Sequence, residues 1–465
     1  MPNIRKIFRY LRHYGFKSTV GLVNEKLFID KKRFAADKKR TMPDINSEYR
    51  HLSIPRDIQE DPMNLLYLIH YFYPSKKGGT ERFTLNLAKE QIKRGNNATV
   101  LVLEANEPCS IYTESVGDIM YRDYEYEGVK CIGFRHKNGT APLGLYYKNV
   151  DTGDIAMRDF MRHIAQKLQI DVVHATYPQP FASFLAECKK LGLPYVVTCT
   201  DFCMMCHYST MVDKNGDFCQ GTNEQTKCAR ICATYGCKDF KERFANAKEI
   251  LEGAEAVTVP SDFVAGMLAA EFPDVAFLPV AHGISDTFKF RKREGGVKKF
   301  VYAGTLSPLK GVHLLISAFK KLEAEDVSLE IYGDGDPSYI KKLKELADHR
   351  VLLRGARPGN QMPEIYSEAD CVIVPSMWYE TYNFVLREAL MTGALVLASD
   401  IGAMPEAVDV GKNGFLFEPA NAEDLEAKMK MALEFDFASY QRRLFPTTED
   451  EGAIYAAIYT KANKV

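Results

Sequence analysis

The sequence predicts an α/β fold of two doubly wound parallel-sheet domains facing a cleft between them, on three observations. Short apolar runs alternate with amphipathic helical runs over residues 64–261. The same alternation restarts at 298 and continues past 400. The stretch between them, VAHGISDTFKFRKREGG at 280–296, carries neither pattern and reads as a boundary. Strands separated by helices pair in parallel, and the helices cover both faces of the sheet. A chain of 465 residues is too long for one compact core and suits two domains of roughly 200 residues each.

In chain order, the first half opens with the apolar strand NLLYLIH (64–70). TERFTLNLAKEQIKRG (80–95) is an amphipathic helix, with Thr80 as its expected cap and Gly95 as its end. ATVLVLE (98–104), DVVHAT (171–176), PYVVTCT (194–200) and AEAVTVPS (254–261) are further strands, and 181–191 is helical. The second half places strands at KKFVYAG (298–304), VSLEIYG (327–333), RVLLRG (350–355), DCVIVPS (370–376) and ALVLASD (394–400). Helices begin near Gly311, Pro337, Gln361, Phe384 and Ala422. Ligands of such sheets sit beyond the carboxyl ends of the strands. Residues just after each strand are therefore the first candidates for function.

The composition, 46% hydrophobic and 26% charged, is that of an ordinary globular protein. A formal net charge of −1 supplies no global field toward nucleic acid, and no nucleic-acid partner is expected. No apolar run approaches the ~20 residues of a membrane span, and the N-terminus lacks a signal-peptide core. The expected setting is cytoplasmic, with thiols kept reduced. The first forty residues stand apart, with twelve Lys/Arg against three acids. Ile4, Ile7, Phe8 and Leu11 share one helical face, Arg5, Lys6, Arg9 and Arg12 occupy the others, and Gly15 can end the helix. Such a helix either lies on an anionic membrane surface or docks on its own protein with its charged face in water. Residues 38–61, with Pro43 and Pro55, read as a linker.

Gly78 and Gly79 precede the helix at Thr80. Two adjacent glycines let backbone approach a ligand closely, and a helix N-terminus favours anionic groups; a flexible surface turn is the plainer reading. The G-x-G-x-x-G fingerprint is absent, which argues against a dinucleotide dehydrogenase. In YAGTLSPLKGVHLLISAF, Gly304 ends a strand and Lys310 stands at a helix start, where its charge can add to the helix dipole on a diphosphate. IYGDG (331–335) ends a strand in a second glycine turn at Gly333. In VPSMWYETYNFVLREALMTGALVLASDIGAMPEAV (374–408), a loop holds Glu380 and a helix begins near Asn383. The first amides of that helix, near Asn383, Phe384 and Val385, can take a phosphate. A carboxylate just before them, Glu380, can take sugar hydroxyls, and one a turn into the helix, Glu388, the two ribose hydroxyls. Trp378, the single Trp, is expected beside this site, whereas His174 and His207 stand alone and read as packed or surface residues.

These segments resemble glycosyltransferase family 4, a retaining family of the GT-B fold with two Rossmann-like domains. Its signature is two glutamates separated by seven residues, which Glu380 and Glu388 match. The flanking VPS…W.E, EAL..G and PE also match, giving Glu406 as a third family position. AGTLSPLKG resembles the diphosphate loop, with Lys310 in the lysine position, and YPSKKGGTERF resembles the N-terminal glycine loop. The resemblance covers roughly residues 63–435. Three positions depart from the pattern: Thr305 stands where Arg is frequent, Thr200 replaces the His of a frequent His-Asp pair ahead of Asp201, and His282 replaces an Asn.

The resemblance implies a nucleotide-diphosphate sugar as donor, bound by Glu388, Gly304, Thr305, Gly333, Tyr382, Asn383, Phe384 and Val385, with Glu380 on the transferred sugar and Lys310 on the diphosphate. It implies a glycan or lipid-linked glycan acceptor near Gly78, Gly79 and Asp201, no protein nucleophile and no catalytic metal. Electrostatic stabilisation of the leaving group would then be the main catalytic effect. The implied domains are a basic extension and linker at 1–61, an acceptor-side domain at 62–285 with a Cys-rich insertion at 199–240, and a donor domain at 286–435. A tail at 436–465 either ends free or packs back, as GT-B chains often do. Two other functions fit the same segments: a sucrose-synthase-like or phosphorylase-like enzyme with a small soluble acceptor, and a weakly catalytic scaffold tethered to a membrane.

Seven of the eleven Cys fall between Cys199 and Cys237. Four thiolates in close pairs suit tetrahedral zinc. Related transferases carry a cysteine-bearing insertion here, whose best match is Cys206, Cys219, Cys228 and Cys232; Cys203 and Cys237 are further candidates. Disulfides, buried free thiols and an iron–sulfur cluster are the alternatives.

Overall fold

The computed structural model describes residues 61–464, apart from 77, 105–106, 138–148, 214–215, 224–225 and 233–238. The basic helix expected at 4–15, the linker and Cys237 lie outside the described residues. The described chain forms two compact units, one built on residues up to 283 together with 446–464, the other chiefly on 284–445.

The first unit runs β1 (Asn64–Ile69), α1 (Gly79–Lys93), β2 (Asn97–Leu103), β3 (Glu114–Val116), β4 (Ile119–Tyr126), β5 (Val129–His136), α2 (Ile155–Leu168), β6 (Val172–Ala175), α3 (Ala182–Leu191), β7 (Tyr195–Thr198), α4 (Thr226–Ile231), α5 (Phe240–Glu252), β8 (Ala256–Val259), α6 (Asp262–Glu271) and β9 (Phe277–Pro279). Its sheet has the order β3-β4-β5-β2-β1-β6-β7-β8-β9. From β5 to β9 all pairs are parallel. Leu65–Ile69 are buried throughout, as expected of a strand covered on both faces. The edge departs from the expected all-parallel sheet, because β4 pairs antiparallel with both β3 and β5. In the sequence IMYRDYEY of β4 only Ile119 and Tyr121 are buried, alternating with partly exposed neighbours, and the rest of the strand is partly or fully exposed. Such a strand near the sheet edge keeps much of its surface in water, a pattern missed when only apolar runs are sought. Thr80 is also not the cap of α1: Gly78 occupies that position, and the Thr80 hydroxyl donates instead to Thr200 Oγ1 at 3.1 Å.

The second unit runs β10 (Lys299–Ala303), α7 (Val312–Phe319), β11 (Ser328–Tyr332), α8 (Pro337–Leu346), β12 (Val351–Gly355), α9 (Met362–Glu368), β13 (Cys371–Val374), α10 (Phe384–Met391), β14 (Leu395–Ser399), β15 (Gly414–Phe417) and α11 (Ala422–Leu433). Six strands in the order β12-β11-β10-β13-β14-β15 are all parallel. The strand order reverses between β10 and β13, which puts the switch point, and so the expected ligand position, at their carboxyl ends.

The chain returns to the first unit as α12 (Thr448–Ala462). Thr447 and Asp450 form a reciprocal capping box at its start. Glu451 then takes the Gly283 amide at 2.9 Å and pairs with His282 Nδ1 at 3.1 Å. Further along, the Tyr459 hydroxyl meets His174 Nδ1 at 2.7 Å and donates to the Tyr67 hydroxyl at 3.3 Å. His174 Nε2 meets Thr198 Oγ1 at 2.7 Å, and Tyr455 joins Thr198 and Thr258 at 3.1 and 2.9 Å. Burial holds His174 neutral, its pKa lowered to about 3. Removing one member leaves buried partners unbonded, which costs about 1–3 kcal/mol. Tyr459→Phe is therefore expected to lower the urea midpoint by that free energy at an unchanged m-value. A midpoint equal to wild type would show that the network contributes nothing to stability.

Candidate active site

The carboxyl ends of β10, β11, β13 and β14 each run into a loop, and glycines let these loops approach one another. Gly304 ends β10 at φ 148° and its amide bonds Tyr332 O at 3.0 Å. Gly333 follows β11 at φ 153°, and a Cβ there would land on the Gly304 carbonyl oxygen. Gly311, at φ 70°, lies against the Pro375 carbonyl in the same way. The loop after β10 is thus laid directly on the loop after β13, and the Met377 amide bonds Leu309 O at 2.7 Å. Only glycine fits such close backbone approaches at positive φ.

This packing gathers the residues singled out in the sequence. Lys310 Nζ donates to Glu380 Oε1 at 2.6 Å. Ser376 Oγ and Trp378 Nε1 donate to the same oxygen at 2.6 and 2.7 Å. Lys310 also stands 4.7 Å over the Trp378 ring. Glu380 is only 7% exposed. Burial alone would raise its carboxyl pKa, but the Lys310 charge and the three donors outweigh it and hold the group ionised below its usual range. The sequence placed Lys310 on a diphosphate and Glu380 on a sugar; the structure pairs them with each other. Ser376, which the sequence reading passed over, is a third donor, visible beforehand only as the Ser of the VPS flank.

Asn383 turns the chain into α10 at φ 65°, and its side chain accepts the Leu386 amide at 2.9 Å. Asn383 is therefore the cap of this helix, with Phe384 and Val385 in its first turn. Glu388 follows one turn later and is 2% exposed. Tyr382 is buried under the Arg387 guanidinium, 3.8 Å from its ring. Thr305, in the position where the resembled family often has Arg, is exposed, and its carbonyl accepts the Tyr302 hydroxyl at 2.9 Å. Glu406 lies in the short turn Pro405–Ala407 and acts electrostatically on Arg387. The segment ahead of it is fixed by the Ala403 amide on Glu380 O at 2.8 Å.

In the first unit, Gly78 and Gly79 are exposed at the start of α1, and a Cβ on Gly78 would collide with the buried Glu81 carboxylate. The Thr80–Thr200 hydrogen bond brings this start beside Asp201, just past β7. Burial pushes the Asp201 carboxyl up to about 6, against the Cys203 amide at 2.8 Å and the Tyr177 hydroxyl, both of which favour the anion.

All ten described cysteines are free thiols. Cys206, Cys219, Cys228 and Cys232 are buried. Burial and then Cys206, Cys232 and Cys219 raise the Cys228 thiol, so the four lie within electrostatic range of one another. Lys227 Nζ stands 3.6 Å from Cys219 Sγ. Among the described residues, however, no group of three or more His, Cys, Asp or Glu is placed to hold a metal ion. As placed, the thiols are gathered without forming a closed ligand shell.

A family model described as Glycosyltransferase Family 4 matches residues 77–276, and one described as Glycosyl transferases group 1 matches 284–444. The chain is 30% identical over 232 residues to the lipopolysaccharide 1,2-N-acetylglucosaminetransferase of Salmonella typhimurium, covering 42% of this chain and 60% of that protein. It is 27% identical over 218 residues to the putative glycosyltransferase YtcC of Bacillus subtilis, covering 40% of this chain and 53% of that one. The matches thus span little more than half of these relatives. Among solved structures, a sucrose-phosphate synthase of Thermosynechococcus elongatus aligns with TM-score 0.60 at 16% identity, covering 86% of this chain and 98% of that one. The HepE protein of Anabaena in complex with UDP aligns with TM-score 0.55 at 18% identity, over the same shares. At such identities the likeness is one of fold.

The glycine packing yields a test. Gly402 has φ +64°, and a Cβ there would stand 2.5 Å from Glu380 O and 2.7 Å from Glu380 N. Gly402→Ala is expected to cost at least about 1–2 kcal/mol for the left-handed conformation. It should also shift the emission of Trp378, whose indole bonds Glu380. Lost stability with unchanged emission would show that Gly402 does not position Glu380.

Proposed function

This chain belongs to glycosyltransferase family 4, with the GT-B fold, and on that premise we propose that it moves a sugar from a nucleotide-diphosphate donor to a glycan or lipid-linked glycan, with retention at the anomeric carbon, in cell-surface polysaccharide synthesis. The observation that carries this reading is the Glu380 carboxylate held ionised by Lys310, Ser376 and Trp378 at the carboxyl ends of β10 and β13. UDP in the HepE structures and the sugar transfer named for the Salmonella relative support it.

In this reading the donor diphosphate draws Lys310 from Glu380 and meets the first turn of α10, where helix-end amides favour anions. Glu380, relieved of one donor, takes hydroxyls of the transferred sugar. Glu388 takes the ribose, and Gly304, Thr305, Gly333 and Tyr382 border the nucleotide. The bond from the anomeric carbon to the phosphate oxygen breaks as the acceptor oxygen bonds that carbon on the same face, and the acceptor proton passes to the departing phosphate. The chain supplies charge and position, the terms that dominate when no protein nucleophile acts. The acceptor approaches past Gly78, Gly79 and Asp201. The basic segment 4–15, expected from its pattern to be helical and lying outside the described residues, would hold the chain on the cytoplasmic face of a membrane. Among the described residues no helix is long and apolar enough to cross one.

Nucleotide release from a panel of UDP-, GDP-, ADP- and dTDP-sugars tests the reading, with Glu380→Ala as control. Release from one donor class, lost in the variant, is expected; no release from any, with membrane lipid extract as acceptor source, overturns it. Hydrogen bonds involving charge contribute roughly 1.5–3 kcal/mol, so Glu388→Ala should weaken donor use about 10–150-fold. An unchanged apparent donor affinity would remove the ribose role. For Cys206, Cys219, Cys228 and Cys232 the proposal remains structural zinc, about one per chain. Metal analysis finding none, in protein purified reduced and without chelator, would leave them as buried thiols.

A further inference from the structure

Apolar side chains gather in water on one face of the second unit. Among the described residues eight large hydrophobic side chains are exposed, and three of them, Phe290 (39%), Val410 (60%) and Leu444 (69%), stand on segments that touch one another. The Arg442 guanidinium lies over the Phe290 ring at 5.0 Å. Arg443 Nη1 donates to Asp409 Oδ1 at 3.1 Å, and the Gln441 amide donates to Lys412 O at 3.1 Å. The runs 289–292, 409–412 and 441–444 therefore form one continuous surface. The Arg291 amide, bonded to Thr392 O at 3.0 Å, fixes the first run beside the end of α10. A single exposed apolar residue is ordinary; a group of them on one surface marks an interaction site.

Charge singles out the same face. The three runs, KFRK, DVGK and QRRL, hold six Lys/Arg against one acid, in a chain whose formal net charge is −1. That acid, Asp409, is taken by Arg443, and Asp286 stands 3.7 Å from Lys289. Arg291, Lys292, Lys412 and Arg442 are all exposed and have no acid partner among the described residues. Gathered cations repel one another, and an anionic partner relieves that repulsion.

The two observations together select the partner. The core of a protein–protein interface is depleted in Lys. A polyanion in water would use the cations and leave Val410 and Leu444 without a role. An anionic bilayer uses both kinds of group: Lys and Arg reach the headgroup phosphates on long stems, while Phe, Val and Leu enter the boundary beneath them.

We propose that the face of Phe290, Val410 and Leu444, ringed by Lys292, Lys412 and Arg442, docks the second unit on an anionic lipid bilayer, with its apolar side chains entering the headgroup boundary. This contact is separate from the basic segment 4–15 and does not depend on the transferase reading.

The test mixes the full chain with vesicles of phosphatidylcholine, alone or with an equal part of phosphatidylglycerol, and measures bound protein by sedimentation. Binding to the anionic vesicles alone is expected. Each Lys or Arg at such a surface contributes roughly five-fold, so the double variant Lys292→Ser, Arg442→Ser should bind at least about 10-fold more weakly. Val410→Ser with Leu444→Ser should lose at least about 5-fold through the apolar area no longer buried. Thermal midpoints equal to wild type are expected of both, because all four side chains are exposed. Leu444→Trp reports the place of contact: bromine on the acyl chains should quench its emission beyond that of wild type, whose single Trp378 belongs to the active site. No binding of wild type to anionic vesicles overturns the proposal. Undiminished binding by both double variants does so too, and would leave the membrane to the segment 4–15. Loss in the charge variant alone, with Leu444→Trp unquenched, also overturns it, since a surface for any polyanion would behave in that way. These assays read no turnover, so they stand whatever becomes of the transferase reading.

Discussion

One carboxylate oxygen organises the second unit. Glu380 Oε1 receives Lys310, Ser376 and Trp378, from the loops after β10 and β13. Burying a carboxylate is costly unless it is paired and hydrogen-bonded. Here both conditions are met on the same atom, and the charge is kept. The loops are held where they can meet by bare backbone. Gly311 lies against Pro375, Gly333 against Gly304 and Gly402 against Glu380, and a side chain at any of the three would force backbone apart. The ion pair therefore depends on glycines that let these strand ends converge.

The pairing also gives the site a resting state. A lysine and a glutamate that would separately serve a diphosphate and a sugar neutralise each other while no anion competes. In the proposed reaction an arriving diphosphate would offer Lys310 more charge than Glu380 does, and the exchange would free the carboxylate for the sugar hydroxyls. Preorganised charge of this kind acts most strongly where water is excluded, and 7% exposure at Glu380 meets that requirement.

In the first unit the corresponding frame is α12. Its Tyr455 and Tyr459 hydroxyls close a buried network with Tyr67, His174, Thr198 and Thr258 on four adjacent strands. The same sheet carries Gly78 and Gly79 after β1 and Asp201 after β7. A segment remote in sequence thus fixes the strands on which the proposed acceptor residues ride. His282, which departs from the Asn of the resembled family, belongs to this frame through Glu451.

The sequence by itself determined the fold class, because apolar strands alternating with amphipathic helices leave only a doubly wound sheet to bury both faces. It also singled out Lys310 and Glu380, which the structure joins. It did not show the antiparallel edge of β3, β4 and β5, because the outer strands β3 and β4 are mostly partly or fully exposed and no apolar run marks them. It named Thr80 as a cap, a local choice that the tertiary bond to Thr200 overrode. Contacts between segments distant in the chain could be decided only by the tertiary structure: that Lys310 and Glu380 meet on one oxygen, that α12 belongs to the first sheet, and that Phe290 and Arg442 share one exposed surface. Local pattern records which face of an element is buried; which partner covers that face, and which apolar groups are left over, follows only from packing.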